Sequence, residues 1–222
     1  MRIRTMPDAR REFVRHFSPR LLLAFVGVSL VVRLIVSEWR WSDLLVVGAV
    51  LALQPFLEWV LHVTLLHDRP HEIAGRTFDT VAAQDHRKHH ADPRDIPLTF
   101  IARRWVIYLV LSVVVVAAAL WWLIGSGTAA TFLLVASCVA LAYEWTHYLI
   151  HTDVPPKSWY YRKIHAAHRL HHYRNEQYWF GVTSNVGDMA LGTYPDKDAV
   201  PVSPTAKALL QADRRVGPRH RV

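Results

Sequence analysis

Residues 105–124 read WVIYLVLSVVVVAAALWWLI, 20 positions without a charged side chain. A helix of that length is about 30 Å long at 1.5 Å per residue. The hydrocarbon core of a bilayer is about 30 Å thick. An all-apolar helix of this kind has no face to offer water, so the stretch is read as a membrane span. Three further stretches resemble it. Residues 21–36 are shorter and carry Arg33, whose long stem can snorkel; Trp39 and Trp41 follow where an interfacial belt would place them. Residues 44–61 are interrupted only by Gln54, Pro55 and Glu58, and residues 129–150 carry Glu144 and His147 near their end. Short connections at 37–43 and 125–128 make two helical hairpins. The expected fold is therefore all-α: a four-helix integral-membrane bundle with long polar segments at 1–20, 67–104 and 152–222.

The charges give the bundle an expected orientation. Of 26 Lys and Arg, 24 fall in the three long polar segments, one lies in a short turn, and Arg33 lies within a helix. This is the positive-inside pattern of a protein with both termini cytoplasmic. Topology and anionic lipid explain the net charge of +8, and a nucleic-acid partner is not expected. Arg10 and Arg11 resemble a twin-arginine export signal. No small-residue cleavage site follows them, so they read as a basic flank of the first span. The expected organisation is a basic cytoplasmic segment at 1–20, a membrane domain at 21–195 and a poorly ordered tail at 196–222. The tail has scattered Pro and charge and no apolar face. Cys138 is the only cysteine, which excludes an intramolecular disulfide and any CxxC site.

Histidine is the outlying residue, with 14 copies, most of them in four clusters. His62 and His67 form H-x4-H at the end of the second span. His86, His89 and His90 form H-x2-HH. His147 and His151 form H-x3-H on the fourth span. His168, His171 and His172 form a second H-x2-HH, with His165 one turn earlier. On a helix, positions i, i+3 and i+4 share a face, so three of these patterns aim their imidazoles together. H-x4-H overshoots by about a quarter turn, which places His67 where the helix ends or frays. A helix from residue 44 to 67 is about 36 Å long, so its histidine end emerges from the bilayer on the cytoplasmic side. A helical cap on that face would carry all four clusters. The two halves also repeat: each has a Glu-Trp pair (Glu58-Trp59, Glu144-Trp145), then two His, then H-R-x-H-H.

Neutral imidazole is the commonest ligand for Fe, Zn, Cu and Ni. Ten are too many for one ion and suit two ions of about five ligands each. Glu58 and Glu144 near membrane spans would be costly if idle, and both are assigned to orienting His N–H groups. His165 reads as a supporting or structural neighbour of His168. His16, His71 and His220 read as interfacial polar residues.

With these residues in place, the chain resembles the fatty acid hydroxylase/sterol desaturase superfamily of integral-membrane diiron oxygenases. That superfamily orders its boxes H-x3–4-H, H-x2-HH, H-x3-H, H-x2-HH, and here the order is complete. The run from His171 to Asn175, then Phe180 to Ser184, Gly187-Asp188 and Leu191 to Thr193, is similar to the segment after the last box of fatty acid 2-hydroxylases. The run from Ala167 to His172 is also similar to bacterial carotenoid β-ring hydroxylases. The resemblance covers residues 44–195. It implies O2-dependent hydroxylation or desaturation of a membrane lipid at two iron ions held by the ten His, with zinc able to take their place on purification. It implies a supporting role for Asn185 and Asp188, against which stands simple loop capping. No His-Pro-Gly-Gly electron-transfer motif is present, so a separate donor such as a ferredoxin is expected, docking on the basic segments. A carotenoid ring hydroxylase is the alternative within the superfamily. A His-rich metal transporter or sensor and a bis-His haem protein are alternatives from other classes. A transporter would place polar residues along mid-membrane, where the third span has none. Haem would need facing His pairs within the bilayer, for which H-x2-HH has no use.

Overall fold

Each apolar stretch forms a helix, and each helix starts earlier than its hydropathy alone indicates. The computed structural model describes residues 3–206. In chain order its helices are α1 (Met6–Phe13), α2 (Phe17–Val36), α3 (Trp41–Leu61), α4 (Val81–Ala91), α5 (Arg103–Ile124), α6 (Ser126–Ile150), α7 (Trp159–Tyr173) and α8 (Val186–Ala190). Four segments are long and apolar enough to cross a membrane: Phe17–Val36, Trp41–Leu66, Ile96–Ile124 and Ser126–Ile150. The gains at the helix starts come from residues such as Ser18 and Pro19, which open α2, and Ser126, Gly127 and Thr128, which open α6. Pro is favoured in a first turn because its missing N–H has no partner there in any case. The second hairpin connection shrinks to Gly125, whose φ of +112° needs a glycine.

The chain divides into two compact units. The first comprises Met1–Pro55 and Phe100–Val154; the second comprises Phe56–Thr99 and the chain from Pro155 onward. Helix α3 passes from one to the other after Pro55, which cannot donate to the helical ladder.

In the first unit α6 is central, packing against both α2 and α5. The start of α6 is small (Gly127, Thr128, Ala129, Ala130, Thr131) and buried. Small residues let backbones approach where lipid supplies no hydrophobic drive. A Cβ on Gly127 would lie 2.6 Å from the Glu38 carbonyl oxygen. Near that end Arg33 is 1% exposed, donates to Asp43 at 3.0 Å and to the Glu38 carbonyl at 2.9 Å, and stacks over Trp39 at 3.5 Å. The ion pair neutralises Arg33 within its span. At the other end, Phe13 packs edge-on against Trp145 at 4.8 Å and Tyr148 donates to the Ala9 carbonyl at 3.1 Å. The basic segment expected at 1–20 is thus partly structured. Thr5 caps α1 by accepting from Asp8 N–H at 3.3 Å, and α1 buries Ala9 and Phe13.

The second unit contains the end of α3, α4, α7 and α8. It also contains an element the sequence reading did not anticipate, an antiparallel hairpin of β1 (His71–Ile73) and β2 (Arg76–Phe78). Its turn is Ala74-Gly75, both at positive φ, the geometry that matches strand twist in a two-residue turn. Alternation over three exposed residues is too short to register as a strand in the sequence. Arg87 on α4 fastens the hairpin's flanks, donating to the Asp68 carbonyl at 3.0 Å and to both oxygens of Asp79. Thr80 caps α4 and Ser158 caps α7.

The tail expected from residue 196 is ordered over its described part. Ser203 N–H donates to the Arg174 carbonyl at 2.7 Å, Arg174 Nε donates to the Val200 carbonyl at 2.8 Å, and Val200 packs with Ala167 and Trp179. Isolated apolar residues anchor this stretch, so it shows no periodic face. Residues 207–222 lie outside the described residues.

Candidate metal centre

His62 and His67 share a face because the turn between them is widened. Residues His62–Leu66 form a π turn, closed by His67 N–H donating to the His62 carbonyl at 3.0 Å. The i to i+5 bond brings the two rings to 5.0 Å, so His67, at the helix end as expected, stays beside His62. Helix α4 adds His86 and His90, one turn apart with rings at 4.6 Å, and α7 adds His171. One nitrogen from each of His62, His67, His86, His90 and His171 lies within 4.8 Å of all the others.

Main-chain carbonyls decide which nitrogen faces inward. His62 Nδ1 lies 2.6 Å from the Phe180 oxygen, His90 Nδ1 2.9 Å from the Ala206 oxygen, and His171 Nδ1 2.8 Å from the Tyr178 oxygen. A carbonyl only accepts, so each Nδ1 carries the proton and each Nε2 presents a lone pair. The Nε2 atoms of His62, His67 and His90 each stand 3.1 Å from Nε2 of His86. His86 has one proton at most to share among them. Nε2 of His171 is buried without a hydrogen-bond partner. Burial, then the neighbouring rings, holds His67, His86 and His171 well below the usual imidazole pKa, so the rings are neutral.

Converging neutral lone pairs repel one another unless a cation lies between them. For a metal–imidazole bond of about 2.1 Å, two ligands at a right angle sit about 3.0 Å apart. The observed 3.1 Å spacing is the edge of such a shell. The donor set is all nitrogen, which suits iron, zinc, copper or nickel over magnesium or calcium.

A second histidine set adjoins the first. His168 and His172 on α7 bring Nε2 atoms to 3.0 Å, and the His89 ring stands 4.7 Å from His172. The His90 and His172 rings, 4.2 Å apart, join the two sets. In the first unit His147 and His151 stand together at the end of α6, rings 4.9 Å apart.

Comparison with known proteins matches this architecture. The fatty acid hydroxylase family profile matches residues 47–193, most of the chain and all four histidine clusters. The chain belongs to the fatty acid hydroxylase family. This family member is 40% identical over 60 residues to the ceramide very long chain fatty acid hydroxylase SCS7 of Saccharomyces cerevisiae, a match covering 27% of this chain and 15% of the yeast protein. Its fold is similar to the hydroxylase domain visible in the solved structure of full-length scs7p. That likeness has a TM-score of 0.59 at 23% identity and covers 83% of this chain and 66% of the other.

In this fatty acid hydroxylase family member the carboxylates act on backbone. Glu58 accepts from Val182 N–H, from Thr183 N–H at 2.9 Å and from the Thr183 hydroxyl. It grips the loop whose Phe180 carbonyl lies 2.6 Å from His62 Nδ1. Asp188 accepts from Phe180 N–H at 2.9 Å, Gly181 N–H at 2.7 Å and the Thr193 hydroxyl. Burial raises its pKa and those three donors oppose the rise. Glu144 was expected to orient a histidine; it accepts instead from the Ser18 hydroxyl and from Ile101 N–H at 3.1 Å, tying the starts of two spanning segments to α6. Asn185 is buried, bonds weakly to the Tyr194 hydroxyl at 3.5 Å, and immediately precedes α8. His165 stands beside Tyr161, and among the described residues it belongs to neither histidine set.

The groups that sequence reasoning missed are the carbonyls of Tyr178, Phe180 and Ala206, which leave no side-chain signature. Gly181 is a detectable exception. A Cβ there would meet the Ser184 oxygen at 2.1 Å and Asp188 Oδ2 at 2.9 Å.

Proposed function

We propose that the chain hydroxylates an unactivated C–H bond on the acyl chain of a membrane lipid. The observation that carries this reading is the cage of five imidazoles, with three Nε2 atoms 3.1 Å from that of His86, in a fatty acid hydroxylase family chain with four membrane-length helices. One metal ion would be held by His62, His67, His86, His90 and His171. A second would be held by His89, His168 and His172; His147 and His151 are proposed as ligands on their H-x3-H spacing alone. Iron at both positions supplies the redox chemistry that side chains lack. The reaction balances as one C–H bond, one O2, two electrons and two protons giving one alcohol and one water.

The protein's own part is to orient and to exclude. The Tyr178, Phe180 and Ala206 carbonyls fix ring tautomers, and Glu58 and Asp188 hold the 180–183 loop against them. Full burial of His90, His168, His171 and His172 keeps water from the ligand nitrogens. Electrons come from a separate carrier, an acidic ferredoxin being the complement of the basic polar segments.

The test is untargeted mass spectrometry of lipids from a host supplied with O2 and a ferredoxin system. The host expresses the wild type, a His171→Ala/His172→Ala variant, or neither. A lipid that gains one oxygen only with the wild type is the expected outcome. A lipid that loses two hydrogens instead would replace hydroxylation with desaturation. Product formation unchanged in the variant would overturn the assignment.

A further inference from the structure

Trp59 Nε1 donates to the Thr193 hydroxyl at 2.8 Å, and Glu58 accepts from Thr183 N–H at 2.9 Å. The segment from Val182 to Thr193 is thereby fastened to the last turns of α3. That end of α3 belongs to the membrane-length segment Trp41–Leu66 and exposes Leu57, Val60 and Leu61. The fastened segment continues the apolar surface with Val186, Met189 and Leu191. Tyr160 donates to the Thr183 carbonyl at 2.6 Å and brings the start of α7 alongside, with Trp159 and Tyr160 facing outward. These five side chains are 45–64% exposed.

Charge along the α7 side of this patch has one sign. Residues 154–175 contain no Asp or Glu, while Lys157, Arg162 and Lys163 are exposed there. Lys163 Nζ stands 4.4 Å over the Trp159 ring. Large apolar side chains left in water lose about 25 cal/mol for each Å². Aromatic and aliphatic residues with Lys and Arg beside them are the composition of helices that lie in a membrane interface.

We propose that Trp159, Tyr160, Val186, Met189 and Leu191 form a collar seated in the headgroup layer of the bilayer that α3 spans, with Lys157, Arg162 and Lys163 on anionic phospholipid phosphates. Two observations select lipid as the occupant. The patch is continuous with the exposed face of a membrane-length helix, and its charge is complementary to an anionic leaflet. The 180–183 loop then separates the bilayer surface from His62. The proposal concerns placement in the membrane and stands apart from the reaction.

The test uses the full chain in vesicles of phosphatidylcholine and phosphatidylglycerol. In a Cys138→Ser background, Met189→Cys carries an environment-sensitive fluorophore. Phospholipids bearing a nitroxide near the headgroup should quench most of the emission, and aqueous iodide should quench little. The K157Q/R162Q/K163Q variant, or vesicles of phosphatidylcholine alone, should shift quenching from the lipid nitroxide toward iodide. Iodide quenching with no lipid quenching in the unaltered collar overturns the proposal. Protection from both quenchers also overturns it, because the collar would then be covered by protein.

Discussion

Glu58 lies on the last turn of α3 and His62 four residues later in the π turn that follows, and both reach the same distant loop. The His62 ring donates to the Phe180 carbonyl at 2.6 Å, and the Glu58 carboxylate accepts from Thr183 N–H at 2.9 Å. His62 and the residue that steadies its orienting carbonyl thus form one unit, closed through the backbone between them.

Glu58→Gln tests that unit. An amide keeps the size but turns one acceptor into a donor facing N–H groups. Loss of support around a ligand lowers metal affinity by about 10–100-fold. Iron per protein after dialysis against a chelator should fall accordingly, while helical circular dichroism stays near wild type. Wild-type retention would mean that the loop holds itself.

Gly181→Ala should be worse. The added methyl has backbone oxygen at 2.1 Å, so the loop must move. The Phe180 carbonyl then leaves His62, and iron retention and product formation should both collapse. Gly75→Ala, with nothing within 4 Å of its added Cβ, serves as the comparison and should cost only hairpin strain.

His171→Ala removes one of the five converging nitrogens, whereas His165→Ala touches neither set. The first should lose metal and at least about 100-fold in product formation, the scale set by losing a shell member. The second should keep both within about threefold. Equal losses in the two variants would place His165 at the centre.

Acid should release the metal. His67, His86 and His171 are held below their ordinary pKa in the folded chain, so the folded state favours neutral rings. Above about pH 6.5 the folded and unfolded chains are both unprotonated at these rings and stability is full. As pH falls through that value the unfolded chain gains protons first, and stability drains toward the lower folded pKa. Metal retention and melting temperature should both fall between about pH 7 and pH 5, since protons compete with metal for the same nitrogens. A flat profile would refute the neutral cage.

Asp43→Asn leaves the Arg33 guanidinium buried beside an uncharged partner. Breaking a buried ion pair from one side costs about 3–5 kcal/mol. Melting temperature in detergent should drop markedly, and the Arg33→Leu/Asp43→Leu pair should recover most of the loss.

Spans and box residues were legible because each has a local signature: a run of apolar residues long enough for a bilayer, and imidazoles at i, i+3 and i+4. His67 was expected at the helix end and lies there, but the π turn that aligns it with His62 was not foreseen, because it depends on tertiary context. Glu144 was assigned because a carboxylate near a membrane span is costly if idle and His147 follows three residues later. The sequence held no sign that Ser18 and Ile101 would claim it, since those partners lie 126 and 43 residues away. The carbonyls at Tyr178, Phe180 and Ala206 were invisible for a simpler reason: every residue has one.

Those three carbonyls also impose an order on biosynthesis. His62, His67, His86 and His90 leave the ribosome long before residues 178–206, which fix the tautomers of two of them. At about 5–20 residues per second the nascent chain spends several seconds with these imidazoles free to rotate and titrate. The tautomers that let these imidazoles converge are therefore fixed together only once Ala206 has been made and has docked on His90.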